Sequence, residues 1–226
     1  MADIAAEGLK HALEAERRIQ PGGNLRGSWE ALLADARRCT RCDLYKYATQ
    51  TVFGEGPLDA AIMFVGEQPG DQEDLAGRPF VGPAGAVFDA ALEKAGIDRS
   101  QVYVTNAVKH FKFIQRGKRR IHNKPDAGQI EACRWWIEHE RELIRPPVTV
   151  ALGATAARSL IGKTVTISKV RGEPLELEDG GECWATVHPS SLLRMPDPEA
   201  RGEGRVLFVR DLKLIKARAE EISHRS

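Results

Sequence analysis

The sequence lacks the features of a membrane-spanning or exported chain. Its longest apolar runs, such as residues 60–65, fall far short of the roughly 20 residues that a transmembrane helix needs. The first 18 residues mix acids with bases and have no apolar centre, unlike a secretory signal. We therefore expect no membrane association, a cytoplasmic location and, as the simplest state, a monomer.

An excess of charge of either sign is also lacking. Lys and Arg number 33 against 32 Asp and Glu, so the formal net charge is +1. Global charge thus neither favours nor excludes a polyanionic partner, and any basic patch must be local. Apolar residues make up 42% of the chain, which is enough for a sizeable core and argues against wholesale disorder.

Cysteine is scarce: the 226 residues contain four, Cys39, Cys42, Cys133 and Cys183. This number is too small for a disulfide-stapled scaffold. The close C-x-x-C pair can bind one metal ion or one edge of a cluster, and the fold must then bring in the two distant thiols. Zinc sites usually use two close pairs, whereas an iron–sulfur cube accepts ligands on separate elements. A redox pair with two buried thiols is a third possibility, and spacing alone leaves cluster and zinc equally open.

Short apolar strands alternate with helical segments along the chain, which predicts an α/β sandwich around a largely parallel sheet. We assign residues 1–24 to an N-terminal extension and 25–226 to the domain. Ser28 is a candidate cap for the first helix of the domain, residues 164–178 are β-rich, and an amphipathic helix over 205–224 ends the chain. The four predicted strands are residues 60–65, 102–105, 148–152 and 184–187.

Polar segments follow three of these strands, and ligands of open α/β sheets bind beyond the carboxyl ends of the strands. Glycines flank Glu67 and Gln68 after the first strand, which allows a ligand to approach the backbone, although an acidic surface turn has the same pattern. Asn106 ends the second strand, where it could read a hydrogen-bonding edge or cap a turn. His188 ends the fourth strand and could stabilise developing negative charge.

Two further features precede and follow the second strand. Phe80 is either a core residue or an aromatic plate under a planar ligand. Residues 116–125 are dense in bases, as phosphate-contacting segments are, but a solvated loop shares that composition. His122, beside Ile121 in this segment, is either an anchored functional group or a structural histidine.

Together these segments resemble the uracil-DNA glycosylase superfamily, in particular its iron–sulfur branch, over a match that runs from about Trp29 to the C-terminus. Residues 66–70 (GEQPG) and 118–125 (KRRIHNKP) are similar to the UdgX group within that branch. The resemblance implies a three-layer α/β/α fold with a central four-stranded parallel sheet. It also implies a structural four-iron–four-sulfur cluster on Cys39, Cys42, Cys133 and Cys183.

The same resemblance implies an enzyme that excises uracil from DNA, preferably single-stranded. Phe80 is then expected to stack on the base, Asn106 to read its polar edge and His188 to meet its O2, while Gln68 and Asp71 line the pocket. The UdgX-like feature is a covalent bond from His122 to C1′ of the abasic site, with Glu67 orienting the imidazole. The alternative is a conventional, multiple-turnover glycosylase that uses an activated water. The residues expected at the DNA backbone are Lys118, Arg119, Arg120, Ser190 and Arg194.

Overall fold

The computed structural model describes residues 25–225 except residues 178 and 180, so the predicted extension over 1–24 lies outside the described residues. The helices of the described part are α1 (Leu25–Ala36), α2 (Asp71–Ala76), α3 (Pro83–Ala95), α4 (Ala127–Ile144), α5 (Ala154–Ile161), α6 (Ile167–Val170), α7 (Pro189–Leu193) and α8 (Pro198–Ser223). Its strands are β1 (Ile62–Gly66), β2 (Tyr103–Asn106), β3 (Phe113–Arg116), β4 (Arg119–His122), β5 (Val148–Leu152), β6 (Pro174–Glu176) and β7 (Glu182–Thr186).

The main sheet has the strand order β2-β1-β5-β7-β6. The first four strands are parallel and correspond to the four predicted ones. The fifth, β6, pairs antiparallel with β7, so the expectation of four strands is wrong by one edge strand. β6 lies in the segment predicted as β-rich, and by pairing with β7 it covers an edge that would otherwise be open.

Helices cover both faces of this sheet, which confirms the three-layer α/β/α prediction. Alternate side chains of β1 point to opposite faces, as the pleat requires. Phe64 packs on the face covered by α3 and α8, whereas Met63 and Val65 pack on the face covered by α4 and α5. Because both faces are buried, β1 and β5 are apolar along almost their whole length.

Two predicted helix starts are wrong. Ser28 lies inside α1, which already includes Leu25, so it is not the N-cap. Helix α8 begins at Pro198 rather than at Arg205 because the Asp197 side chain accepts hydrogen bonds from the first free backbone N–H groups, and proline suits the first helical position.

The basic segment after β2 is more ordered than predicted. It contains an antiparallel hairpin of β3 and β4 that forms a separate two-stranded sheet. Gly117 takes φ +57 at its turn, a backbone conformation that glycine adopts at low cost. The structure shows no helix, within the part of the chain it describes, that is long and apolar enough to cross a membrane.

Candidate active site

Functional candidates from distant parts of the chain meet at the carboxyl ends of the parallel strands. Glu67 follows β1, Asn106 ends β2 and His188 follows β7. In the register of the sheet, Gly66 lies directly beside Asn106. The turns after β1 and β2 are also joined, because the backbone N–H groups of 107 and 108 donate to the carbonyls of 66 and 67. This edge is therefore one continuous, hydrogen-bonded surface.

Gly66 forms the floor where two candidate base-binding side chains converge. A Cβ at this position would lie 2.3 Å from Asn106 Oδ1 and 2.8 Å from the Phe80 ring. Any side chain there would displace the amide or the ring. Phe80 is buried and takes φ +58, a strained conformation for a bulky residue that costs about 1–3 kcal/mol. Such strain is typical of residues that a binding site holds in place.

His188 faces Phe80 as a neutral hydrogen-bond donor. Its Nδ1 accepts the backbone N–H of Ser190 at 3.2 Å, so the proton of the neutral ring lies on Nε2. Burial lowers the pKa of His188 to about 4, and the ring is therefore uncharged at neutral pH. Its plane lies 24° from that of Phe80, with centroids 6.3 Å apart.

Ser190 and Arg194, both expected at the DNA backbone, are linked to His188 in the structure: Ser190 contacts the imidazole and Arg194 contacts Ser190. Ser190 Oγ lies 2.8 Å from His188 Nδ1, and Arg194 Nη1 donates to the same hydroxyl at 3.1 Å. In this structure the two residues form a chain that orients the imidazole.

Glu67 sits between a histidine and a hydroxyl. Its Oε1 lies 3.3 Å from His122 Nε2, and its Oε2 accepts the Thr155 hydroxyl at 2.5 Å. Burial acts to raise the pKa of Glu67, but the hydrogen bonds from His122 and Thr155 outweigh it and lower the pKa. The carboxylate is thus held ionised and fixed at both oxygens. Sequence analysis missed Thr155, although it follows β5 at the same edge of the sheet.

Gln68, expected to line the base pocket, is bonded to the hairpin segment. Its buried amide anchors both ends of the hairpin segment: Nε2 donates to the carbonyls of Lys112 and Asn123 at 3.1 and 3.0 Å, and Oε1 accepts the Lys112 N–H at 3.1 Å. All the polar atoms of the amide are engaged in these bonds. The side chain therefore holds the segment that carries His122 against the turn after β1.

Arg120 likewise holds the hairpin in place rather than offering a free guanidinium to DNA. Its Nε donates to Asp71 at 2.6 Å and its Nη1 to Asp74 at 2.5 Å, and it lies over the rings of Phe111 and Phe113 at 5.4 and 5.2 Å. Arg120, expected at the DNA backbone, and Asp71, expected in the pocket, are thus paired with each other. This ion pair ties the hairpin to α2.

The tip of the hairpin carries exposed positive charge. Lys118 and Arg119 are exposed. Arg116 is exposed too and lies directly opposite Arg119 in the register. Like charges opposite each other destabilise a hairpin, so this arrangement favours a bound anion.

Three of the four cysteines gather between α1 and α4. Cys39, Cys42 and Cys133 share one apolar cluster. Cys39 Sγ accepts the Trp136 indole N–H at 3.2 Å, and Cys133 Sγ accepts a backbone N–H at 3.4 Å. Such N–H···S bonds are typical around sulfur ligands of iron clusters.

Cys183 is not part of this group, so the structure does not bring it to the other three thiols as the sequence led us to expect. It lies on β7 among aliphatic side chains of a different cluster. Burial raises its pKa to about 12, and Arg141 is the charged group that acts on it. Each of the other three thiols changes the electrostatics of at least one of its companions, but Cys183 affects none of them.

His110 lies beside this group of thiols, next to Cys42. The Thr51 hydroxyl donates to the Ala36 carbonyl at 2.8 Å, so it must accept the proton of His110 Nε2, 3.0 Å away. His110 Nδ1 therefore carries a lone pair, and this buried atom has no hydrogen-bond partner in the structure. The ring is close enough to the Cys42 side chain to interact with it.

The spacing of these groups does not suit a single ion. Among the described residues, no three His, Cys, Asp or Glu side chains converge as the ligands of one metal ion do. An unpartnered imidazole nitrogen on a ring beside Cys42, one of three clustered thiols, nevertheless fits a larger group, whose ligands stand further apart.

Comparison with known proteins decides the family. The family model of the uracil-DNA glycosylase superfamily matches residues 53–213. The chain belongs to the uracil-DNA glycosylase superfamily. It is 43% identical to the type-4 uracil-DNA glycosylase of Thermotoga maritima, over 73% of this chain and 83% of the relative. The type-4 enzyme of Archaeoglobus fulgidus is 36% identical, over 75% and 85%. The type-5 enzyme of Pyrobaculum aerophilum is 29% identical, over 71% and 80%.

Membership of the superfamily confirms the resemblance found in the sequence at the level of family and fold. The matched region contains the whole strand-end site and the hairpin, but it begins after Cys39 and Cys42. Sequence analysis missed Thr155 and His110 for the same reason: neither belongs to a local motif, and each acquires its role through a contact with a distant segment.

Proposed function

We propose that this protein excises uracil from DNA and then becomes covalently attached, through His122, to C1′ of the abasic site. Uracil excision is supported by the family and by relatives named type-4 uracil-DNA glycosylases. The covalent step rests on one observation: the hairpin places the half-exposed His122 imidazole 3.3 Å from Glu67, at the mouth of the pocket.

The pocket accepts a base that has left the stack, because a base inside a duplex cannot be reached. Uracil lies on the Phe80 ring, above Gly66, with the Asn106 amide at its polar edge. The absence of a side chain at Gly66 makes room for both contacts. Single-stranded DNA is the preferred substrate, since it does not have to be unpaired first.

Cleavage breaks the bond between C1′ and N1 of uracil, and the electron pair leaves with the base. The Nε2 proton of neutral His188 donates to uracil O2 as negative charge develops there. The ionised Glu67 carboxylate favours the positive charge on the sugar. Both groups are held before substrate arrives, so neither has to reorganise during the reaction.

His122 then competes with water for C1′. The ring nitrogen that carries the lone pair forms the new bond, and the proton on the other nitrogen passes to Glu67. The product is an N-alkylated imidazole, which is a poor leaving group, so the adduct persists and each molecule reacts once. Lys118 and Arg119, with Arg116, bind the phosphates beside the sugar.

The groups that would hold a four-iron–four-sulfur cluster are Cys39, Cys42, Cys133 and His110. When bound, the cluster braces α1, α4 and the segment after β2 and takes no part in the base chemistry. This ligand set replaces Cys183 by His110 because His110 presents an unpartnered buried atom and lies beside Cys42, whereas Cys183 packs in another cluster.

Substitutions separate the two ligand sets. We expect His110→Ala to lose iron and the broad visible absorbance, whereas His110→Cys and Cys183→Ser keep both. Iron analysis and absorption spectra of the purified variants measure this. Loss of iron from Cys183→Ser, full iron in His110→Ala, or a colourless zinc protein contradicts the assignment.

A denaturing gel tests the covalent step. Wild-type protein mixed with uracil-containing single-stranded DNA should give a shifted band that survives heat and detergent, and mass spectrometry should place the sugar on the peptide containing His122. His122→Ser should lose the band but still release uracil, because the smaller side chain admits water. Repeated turnover by wild type without a band supports the conventional glycosylase instead. Binding without uracil release contradicts both.

A further inference from the structure

The molecule buries an ion pair that the proposed reaction does not use. Lys109 Nζ lies 2.5 Å from Glu140 Oε2, and both side chains are completely buried. Burying two charges is costly, and apolar side chains of similar volume often replace such a pair without loss of stability. The position of this pair therefore needs an explanation other than stability.

Lys109 bonds to the segment that carries the base-reading amide. Its ammonium donates to the backbone carbonyl of Asn106 at 2.9 Å and to the Thr105 hydroxyl at 2.6 Å. With the bond to Glu140, these use all three of its protons. The backbone N–H of the same lysine donates to Cys133 Sγ at 3.4 Å. One residue thus contacts both the uracil pocket and the cysteine cluster.

Glu140 anchors the other side of the pair to helix α4. Its Oε1 accepts the Tyr103 hydroxyl at 2.8 Å, the Thr105 hydroxyl at 3.0 Å and the Gly54 N–H at 3.2 Å. With these bonds, the hydrogen-bonding positions of both the ammonium and the carboxylate are occupied. Directional bonds of this kind permit one geometry, whereas apolar packing tolerates small shifts.

We propose that Lys109 and Glu140 are positioning residues that fix the Asn106 amide relative to helix α4, so that recognition of uracil depends on this buried pair. The proposal rests on the proposed function, because it assigns Asn106 to uracil. The pair touches neither substrate nor reacting atoms; it acts through the backbone carbonyl of Asn106.

The test compares removal of the pair in two backgrounds. The double variant Lys109→Met/Glu140→Gln removes both charges together and leaves no buried charge unpaired. We expect it to lower the single-turnover rate of uracil release about ten-fold in the wild-type background. In the Asn106→Ala background the same change should cost less than two-fold, because its target is already gone.

Further measurements separate positioning from general damage. Iron content and Tm should stay close to wild type, and Arg218→Met/Glu182→Gln, which removes an ion pair at the amino end of β7, should leave the rate unchanged. Should the first double variant fail to fold, Thr105→Val keeps both charges and removes the hydroxyl they share; we expect a three-fold loss that is again absent with Asn106→Ala.

Equal losses in both backgrounds, or no loss in either, overturn the proposal. A failure of wild-type protein to release uracil overturns the proposed function itself, which the same assay reveals before any variant is made.

Discussion

The base pocket and the hairpin are built in opposite ways. Phe80 and Asn106 are buried at the edge of the central sheet, on elements that the core packs tightly. The hairpin of β3 and β4 forms a separate sheet, and side chains such as Gln68 and Arg120 hold it in place. Under the proposed function this difference becomes a division of work: the core carries uracil release, and the appended hairpin carries the later reaction with the sugar.

The largest expected effect tests the pocket side of this comparison. His188→Ala removes the Nε2–H donor, and the loss of one preorganised donor to a developing anion typically costs 100- to 1,000-fold in rate. We expect uracil release to fall by about this factor and adduct formation to fall with it. Single-turnover assays of both products measure the effect. If the variant still forms adduct at the wild-type rate, adduct formation does not depend on uracil release in the pocket.

The same histidine makes the pocket sensitive to acid. The pKa of His188 is about 4 in the folded protein, against roughly 6.5 in an unfolded chain. As pH falls from 6.5 to 4, the unfolded chain binds a proton that the folded protein does not, so the free energy of unfolding falls, by about 3 kcal/mol in all. Tm measured against pH should fall less steeply for His188→Gln than for wild type. Parallel curves contradict this prediction.

A smaller effect is expected when the hairpin is loosened. Gln68→Ala removes the three hydrogen bonds that hold both ends of the hairpin segment, at Lys112 and Asn123. We expect adduct formation to fall about ten-fold, which corresponds to ~1.4 kcal/mol, while uracil release changes less than three-fold. Gln115→Ala, an exposed amide on the same hairpin, is the matched control. Equal losses of release and adduct would remove the proposed division of work.

The smallest effect concerns the charged tip. Arg119→Ala should weaken binding to single-stranded DNA only a few-fold and reduce the slope of log affinity against log salt by about 0.7, the contribution of one phosphate contact. Lys163→Ala makes the same charge change at an exposed residue after α5 and should leave the slope as it is. An unchanged slope for Arg119→Ala means that Arg119 does not contact a phosphate of the DNA.

Much of the fold was predictable because its signals are local. The four parallel strands are short apolar runs followed by turns, and burial on both faces of a sheet requires that composition. Edge strand β6 was not predictable as such, since three residues with weak alternation acquire their conformation only by pairing with β7. The start of α8 was misplaced because its cap, Asp197, lies before the amphipathic pattern that marked the helix.

The site was predictable in part. Residues that follow strands, such as Glu67 and His188, could be placed at one edge because parallel strands bring their carboxyl ends together. The partners of Gln68, Arg120 and Cys183 could not be predicted. An amide, a guanidinium or a thiol has the same local sequence signal whether it binds a ligand or a neighbouring segment.

The sequence by itself determined the family, the parallel sheet and the set of polar groups at its carboxyl edge. The tertiary structure alone decided that His110 lies beside Cys42 while Cys183 packs in another cluster, and that Arg120 and Gln68 hold the hairpin. The physical reason is that the chemical type of a side chain is local, whereas its partner is set by packing between segments that lie far apart along the chain.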